Sequence, residues 1–184
     1  AQALIKVLNA AGVDYGLIGE DESCCGSEVR RLGEEGLFEM CDEENVELLN
    51  SFNVNRIVAI SPHCYNTLKK EYHGLKVPVL HYTELVAELL EEGKLEIPKE
   101  IAKVVTYHDP CFLGKQNDIY DEPRYIITRI PGVEFKEFDR CRERSLCCEG
   151  GGGKMWVESE SKEERLAEIR IEDAKEMGAQ VVAV

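Results

Sequence analysis

No Cys-x-x-Cys occurs anywhere in the 184 residues, although the chain carries eight cysteines. Structural zinc sites are ordinarily built from two such knuckles, so a zinc module is not the leading reading. Basic charge is scarce as well: 22 Lys and Arg stand against 36 Asp and Glu, a net charge of −14. Clustered Lys and Arg are what phosphate contacts require, so no nucleic-acid partner is expected, nor an anionic membrane surface. The acidic excess reads as a solvated exterior. No apolar run nears the roughly 18–20 residues that span a bilayer, and no stretch resembles a signal peptide. This segment is therefore not expected to insert directly into a membrane. The expected placement is cytoplasmic, with any membrane association made through a partner.

A nucleotide loop is missing too, despite the run Gly150–Gly153. A P-loop would need Gly at 148 and Ser or Thr at 155, where Cys148 and Met155 stand. GxGxxG counted from Gly150 requires a glycine at 155 and fails for the same reason.

What the chain does have is thiols in two spaced sets. Thirty-five residues separate His108-Asp109-Pro110-Cys111 from the pair Cys147-Cys148, and the glycine run follows almost at once. Upstream, another thirty-five residues, beginning with Gly26, separate the pair Cys24-Cys25 from Ser61-Pro62-His63-Cys64. Adjacent residues have Cα atoms about 3.8 Å apart, below the 4.4–6.8 Å usual for a disulfide. Neither pair is thus suited to an internal bond. A chain of this length has no need of staples, so thiols acting as ligands or redox groups in a reducing compartment are the better reading.

The elements alternate. Residues 2–11 suit a helix, Val13 to Ile18 alternates as a strand, and the loop Gly19–Ser23 delivers Cys24-Cys25. A helix over about Glu35 to Phe52 carries apolar Leu37, Met40, Val46, Leu48 and Leu49. Arg56–Ile60 is an apolar strand of the buried parallel type, with Ser61–Cys64 at its carboxyl end and a helix over about Tyr65 to Tyr72. Val77–Leu80 is the next strand, and Thr83 is placed as N-cap of a helix running to Glu92. After the linker Gly93–Lys99, Lys103–Tyr107 is a strand ending at His108–Cys111. Then come a helix at about Glu122–Ile130, a strand Val133–Phe138, the loop to Cys147-Cys148, a helix from about Glu160 to Met177, and a strand Gln180–Val184.

The second part repeats the first. Ala11-Gly12-Val13, a strand and Cys24-Cys25 match Pro131-Gly132-Val133, a strand and Cys147-Cys148. This predicts an α/β fold of two similar Rossmann-like halves, each a parallel sheet flanked by helices, related by internal duplication. The halves are placed at 1–94 and 95–184. Ala1 falls within a predicted helix and Val184 within a predicted strand, so the first half is expected to be cut at its N-terminus and the second before its last motif.

Parallel crossovers bring strand ends to one edge of a sheet. Soft thiolates converging there select iron–sulfur clusters, zinc or copper(I). With no CxxC knuckle, adjacent cysteines suit a loop approaching a multi-atom iron–sulfur body. The glycine run would let backbone N–H groups reach its sulfurs; the plain alternative is a flexible loop.

Four stretches, SCCGSEVRRLGEEGLF, SPHCYNTLKKEY, TYHDPCFLGKQNDIYDEPR and CCEGGGGKMW, resemble the cysteine-rich CCG-domain family. That family includes disulfide-reducing subunits of heterodisulfide reductase (B and D types) and iron–sulfur subunits of glycolate and lactate oxidation systems. The resemblance covers essentially the whole chain. It implies 4Fe-4S clusters, noncubane in some members, held by Cys, Cys-Cys-Gly and CxxC in each half. Carried over, Cys111, Cys147 and Cys148 would be ligands of the second site, with Gly150 and Gly151 lining it, and Cys24, Cys25 and Cys64 would belong to the first. The second site's final CxxC would lie past Val184, so an incomplete or absent cluster is expected for this segment alone. Ser61 stands where the first site would have a cysteine, and Glu149 where the second would have a glycine. Cys41 and Cys141 match no motif position, and Cys41 is expected to be a small core residue. His108 is the candidate catalytic residue, as a proton donor, with His63 as a second; a structural role is the competing reading for both. Trp156 and Met155 read as packing residues, while His73 and His81 receive no assignment.

The resemblance implies an iron–sulfur oxidoreductase subunit that transfers electrons and reduces a heterodisulfide. The alternative is a non-catalytic relay subunit of a glycolate/lactate (2-hydroxyacid) dehydrogenase complex. A metal-free dithiol protein is the third reading, which the lack of CxxC disfavours. Expected partners are redox proteins: a ferredoxin-type, flavoprotein or cytochrome subunit.

Overall fold

The structure is a computed structural model that describes residues 2–152 and 165–184. It is a mixed α/β fold with two small parallel sheets flanked by helices. Helix α1, Gln2–Ala10, buries Leu8. Helix α2, Ser27–Arg31, follows the first cysteine pair, and α3 spans Glu35–Ser51. Strand β1, Ile57–Ala59, leads into α4, Pro62–Asn66, which continues as a π turn over Thr67–Glu71. Strand β2, Val79–His81, is followed directly by α5, Tyr82–Glu91.

The pattern then resumes with β3, Lys103–Tyr107, the short α6, Gly114–Asn117, and α7, Asp121–Thr128. Strand β4 is Val133–Phe135, α8 is Leu166–Glu176 and β5 is Val181–Ala183. The first sheet pairs β1 with β2, Val58 opposite Leu80. The second has order β4-β3-β5, with Val105 opposite both Phe135 and Val181. β3 is thus the central strand, consistent with its being the most apolar at the end that is buried.

Apolar packing ties the two sheets into one body. Ala59, Tyr65 and Val79 from around the first sheet enclose Leu113 and Ile119, which follow Cys111. Leu8 of α1 packs with Leu85 and Leu89 of α5. Val105 and Tyr107 pack with Ile127 of α7.

Three sequence expectations change. Val13–Ile18 is not a strand: its residues alternate between half-buried and exposed, and Val13 and Tyr15 lean on the α1–α5 cluster, but no ladder forms there. One-sided burial alone produces that alternation. On α3 the buried face is Phe38, Asp42, Asn45 and Leu49, while Leu37 and Met40 are about half exposed. Two polar residues replace the expected apolar ones because they fasten loops. Asp42 accepts the His73 backbone N–H at 3.2 Å and faces its Nδ1 at 3.0 Å. The N-cap of α5 is His81 rather than Thr83, with Glu84 reaching back to the His81 backbone N–H at 2.7 Å. Residues 153–164 lie outside the described residues, so the predicted start of the last helix near Glu160 and the roles given to Met155 and Trp156 are not addressed.

His81 is a buried structural histidine. Its ring lies 2.7 Å from Thr83 Oγ1 and 3.1 Å from the Ile60 carbonyl, and burial lowers its pKa to about 4. The folded value is below the ordinary 6.5, so the native protein keeps the ring neutral where the unfolded chain protonates it. The associated stabilisation is complete above pH 6.5 and is lost as pH falls toward 4. We expect urea unfolding midpoints to drop across that window, with about 3 kcal/mol from this residue. His81→Gln should flatten that part of the profile.

Candidate metal centre

Both cysteine pairs sit on the same backbone device. Gly26 has φ +74° and directs its N–H at Cys24 Sγ, 3.4 Å away. Glu149, at the matching place after Cys148, also adopts a left-handed φ of +57° and directs its N–H at Cys147 Sγ, 3.3 Å away. Gly150 donates in turn to Cys148 Sγ at 3.4 Å. Main-chain donors on sulfur stabilise thiolate charge and, around a bound cluster, tune its potential. Glycine meets that φ freely, whereas Glu149 bears strain and has its side chain buried, its carboxylate 3.4 Å from the Ala167 N–H and the Arg165 Nε.

In the first set the backbone is pinned from below. Asn45, on the buried face of α3, donates to the Cys24 and Cys41 carbonyls and to Tyr72 Oη, and Tyr72 donates to the Cys25 carbonyl at 3.1 Å. Cys41 is half-buried and lies directly behind Gly26. A methyl on Gly26 would meet Cys41 Cβ at 3.2 Å and Phe38 Cδ2 at 3.0 Å. Burial and the nearby Cys24 raise the Cys41 thiol pKa. Gly26→Ala should therefore cost about 1–3 kcal/mol through its left-handed φ and these contacts, read as a lowered denaturation midpoint.

Cys64 is at the start of α4, beyond the carboxyl end of β1, and its Sγ is 3.3 Å from Cys25 Sγ. The Cys25 thiol donates to it; that bond and one from Ser61 lower the Cys64 pKa against the effect of burial, while the same Cys25–Cys64 bond, together with burial, raises that of Cys25. Arg31 of α2 forms a bidentate pair with Glu71, which also takes Arg30 at 3.4 Å and Asn66 at 2.6 Å. Glu71 ends the π turn that follows α4, so this ion pair clamps the helix after Cys25 to the helix carrying Cys64.

The second set is held by a buried carboxylate that sequence reasoning did not single out. Asp109, 2% exposed, takes both terminal nitrogens of Arg124 at 2.7 and 2.8 Å and the Arg142 N–H at 2.7 Å. Its own carbonyl accepts from Ser145 Oγ at 3.2 Å, and the Ser145 carbonyl accepts from Lys115 Nζ at 2.8 Å. Arg124 continues to Glu137 at 2.7 and 2.9 Å. The segment just before Cys111 and the loop leading to Cys147 are thus fastened to one another two residues from each thiol. Burial, then the neighbouring Cys147 and Cys148 thiols, raise the Cys111 pKa. Asp109 and Arg124 do lie in the stretch that carries the resemblance, and an acid before Cys111 with an arginine in DEPR was the available signal.

The two sets face one another. His63, beside Cys64, stacks on Phe112, beside Cys111, with ring centroids 4.3 Å apart. Gly151 lies against His63 so closely that any Cβ would collide with Nε2, and Gly152 donates to Glu28 Oε1 at 3.2 Å. Burial lowers the His63 pKa. His108 is buried, its Nδ1 has no hydrogen-bond partner among the described residues, and burial with the nearby Arg170 lowers its pKa. Cys141 is half-buried, its carbonyl accepting from the Arg144 N–H.

Among the described residues no three His, Cys, Asp or Glu side chains are grouped so as to hold a metal ion. The second set offers three soft thiols, with main-chain N–H donors on the sulfurs of Cys147 and Cys148, the donor chemistry an iron–sulfur body takes. The first set fits less well. Cys25 and Cys64 are closer than the roughly 3.8 Å that two thiolates adopt on one tetrahedral ion at 2.3 Å, and Ser61 supplies a hydroxyl where a further thiolate would be needed.

A parallel α/β framework whose paired cysteines carry main-chain N–H donors on their sulfurs is that of a thiol-based redox or metal-binding protein. The chain belongs to the CCG family: the model of this cysteine-rich domain matches residues 1–69 and 105–184. It is 43% identical over 162 residues to the EtfAB:quinone oxidoreductase of Syntrophomonas wolfei, covering 87% of this chain and 22% of that protein. It is 40% identical over 185 residues to the probable iron-sulfur-binding oxidoreductase FadF of Bacillus subtilis, covering 100% and 26%. With the D-type subunit of the dihydromethanophenazine:CoB--CoM heterodisulfide reductase of Methanosarcina acetivorans it shares 35% over 192 residues, 100% and 46%. The chain therefore spans between about a fifth and a half of the length of these relatives. No solved structure matches it.

Proposed function

We propose that this chain is the cluster-holding portion of an iron–sulfur oxidoreductase subunit that transfers electrons, with Cys111, Cys147 and Cys148 as ligands of a 4Fe-4S cluster. The observation that carries the reading is the second thiol set, where N–H donors already face sulfur and Asp109 locks both segments together. When bound, such a cluster takes up and returns electrons one at a time. The chain's own residues set its surroundings. Glu149 and Gly150 N–H groups offset thiolate charge, Gly151 closes the loop on His63, and the Asp109–Arg124 pair keeps the ligand segments in register. The duplication supports reading residues 1–94 and 95–184 as the two halves.

Two acceptors are consistent with the relatives. Similarity to one component of a heterodisulfide reductase supports disulfide reduction, with redox partner proteins supplying electrons. The relay reading, in which this portion passes electrons on within a 2-hydroxyacid- or other flavoprotein-linked complex, is supported by similarity to an EtfAB:quinone oxidoreductase. No helix among the described residues is long and apolar enough to cross a membrane. Similarity to a probable membrane-anchored ferredoxin of Chromohalobacter salexigens supports membrane association through other parts of the assembly. Full-length protein purified without oxygen should oxidise a reduced viologen on addition of a small disulfide if disulfide reduction is the role. Reduction only in the presence of a flavoprotein and its substrate supports the relay. Colourless protein free of iron would overturn both.

A further inference from the structure

The first thiol set is built differently from the second, and the difference has chemical meaning. Cys25 and Cys64, 39 positions apart along the chain, bring their sulfurs to 3.3 Å. Both are free and half-buried, and the loop that precedes Cys25, residues 19–24, is exposed. The backbone on each side is held: Tyr72 and Asn45 bind the carbonyls of Cys25 and Cys24, and the Arg31–Glu71 pair joins the two helices. The sulfurs stand 3.3 Å apart, against roughly 2.05 Å in a disulfide. Ser61 denies the site a further thiolate, and Cys41 packs against Gly26.

We propose that Cys25 and Cys64 form a reversible dithiol–disulfide pair that exchanges with low-molecular-weight disulfides. The thiolate of one cysteine attacks a sulfur of the external disulfide, the external S–S bond breaks, and one small thiol leaves. The second cysteine, as thiolate, then attacks the resulting mixed disulfide, forming the Cys25–Cys64 bond and releasing the second small thiol. The protein dithiol loses two electrons and two protons; the external disulfide gains them as two thiols. A dithiol reductant reverses the sequence. This chemistry is independent of the cluster proposed at Cys111, Cys147 and Cys148.

The test uses the full-length protein, anaerobic and cluster-loaded, incubated with bis(2-hydroxyethyl) disulfide, alkylated, and mapped by peptide mass spectrometry. The expected result is a cross-linked pair of peptides containing Cys25 and Cys64, both protected from alkylation and both recovered after dithiothreitol. Cys25→Ser should trap a mixed disulfide on Cys64 while iron content and visible spectrum stay unchanged, and Cys41→Ser should leave the cross-link in place. Recovery of Cys25 and Cys64 fully alkylated, or iron lost on Cys25→Ser, would overturn the pair. Because the wild-type protein alone gives the cross-link reading, a variant that fails to fold does not decide the matter. Protein that binds no iron but still forms the cross-link would separate failure of the cluster from failure of the pair.

Discussion

Arg124→Ala is expected to lower stability by about 3–5 kcal/mol, because it leaves a buried charge without its partner. Asp109 is almost wholly enclosed, and both its oxygens are satisfied by the Arg124 guanidinium, with the Arg142 N–H sharing one of them. Removing the guanidinium also frees Glu137 and releases the Tyr120 carbonyl, which Arg124 holds at 2.7 Å. The loss is structural first and functional second. The loop leading to Cys147 is no longer fastened to the segment before Cys111, so iron should be lost even under conditions where the variant stays folded. Arg124→Lys keeps the charge but not the planar fork that serves two carboxylates at once, and should recover only part of the stability. Urea titration of the full-length protein, followed by circular dichroism and paired with iron analysis of the folded fraction, measures both effects.

Cys147→Ala and Cys148→Ala should each remove the proposed cluster, lowering iron by about four atoms per chain, with bleaching of the visible absorption. Both side chains are exposed, so their truncation leaves no core cavity and the fold should survive. Cys41→Ala is the informative control. That side chain is half-buried behind Gly26 and close to Cys24, yet it faces the first set, so iron at the second set should be retained. Equal loss of iron in all three variants would point to general instability rather than to ligation.

Much of the framework could be read directly. The run Lys103–Tyr107 is a strand residue for residue, since its β-branched and aromatic residues after Lys103 suit a central strand buried toward its carboxyl end. The paired cysteines, their spacing and the repeat were equally visible. What escaped was whatever depended on partners distant along the chain. Val13–Ile18 alternates like a strand yet finds no neighbouring strand to pair with. Asp42 and Asn45 look like surface positions on α3, but they turn inward because His73 and the Cys24 carbonyl need them there. The Asp109–Arg124–Glu137 chain joins residues that no periodicity connects, and the contact between Cys25 and Cys64 depends on how α2 and the π turn dock through Glu71. Local pattern reports which side of an element is buried, whereas tertiary pairing decides what it is buried against.

Three sulfur atoms from two segments must meet around one iron-containing body for this site to carry electrons. Crystals of the full-length protein grown without oxygen, with anomalous data collected on both sides of the iron edge, test this most directly. The predicted result is iron density bonded to the sulfurs of Cys111, Cys147 and Cys148, with the Cys25 and Cys64 sulfurs free of metal. Iron density elsewhere in the protein, with those three sulfurs bare, would contradict it.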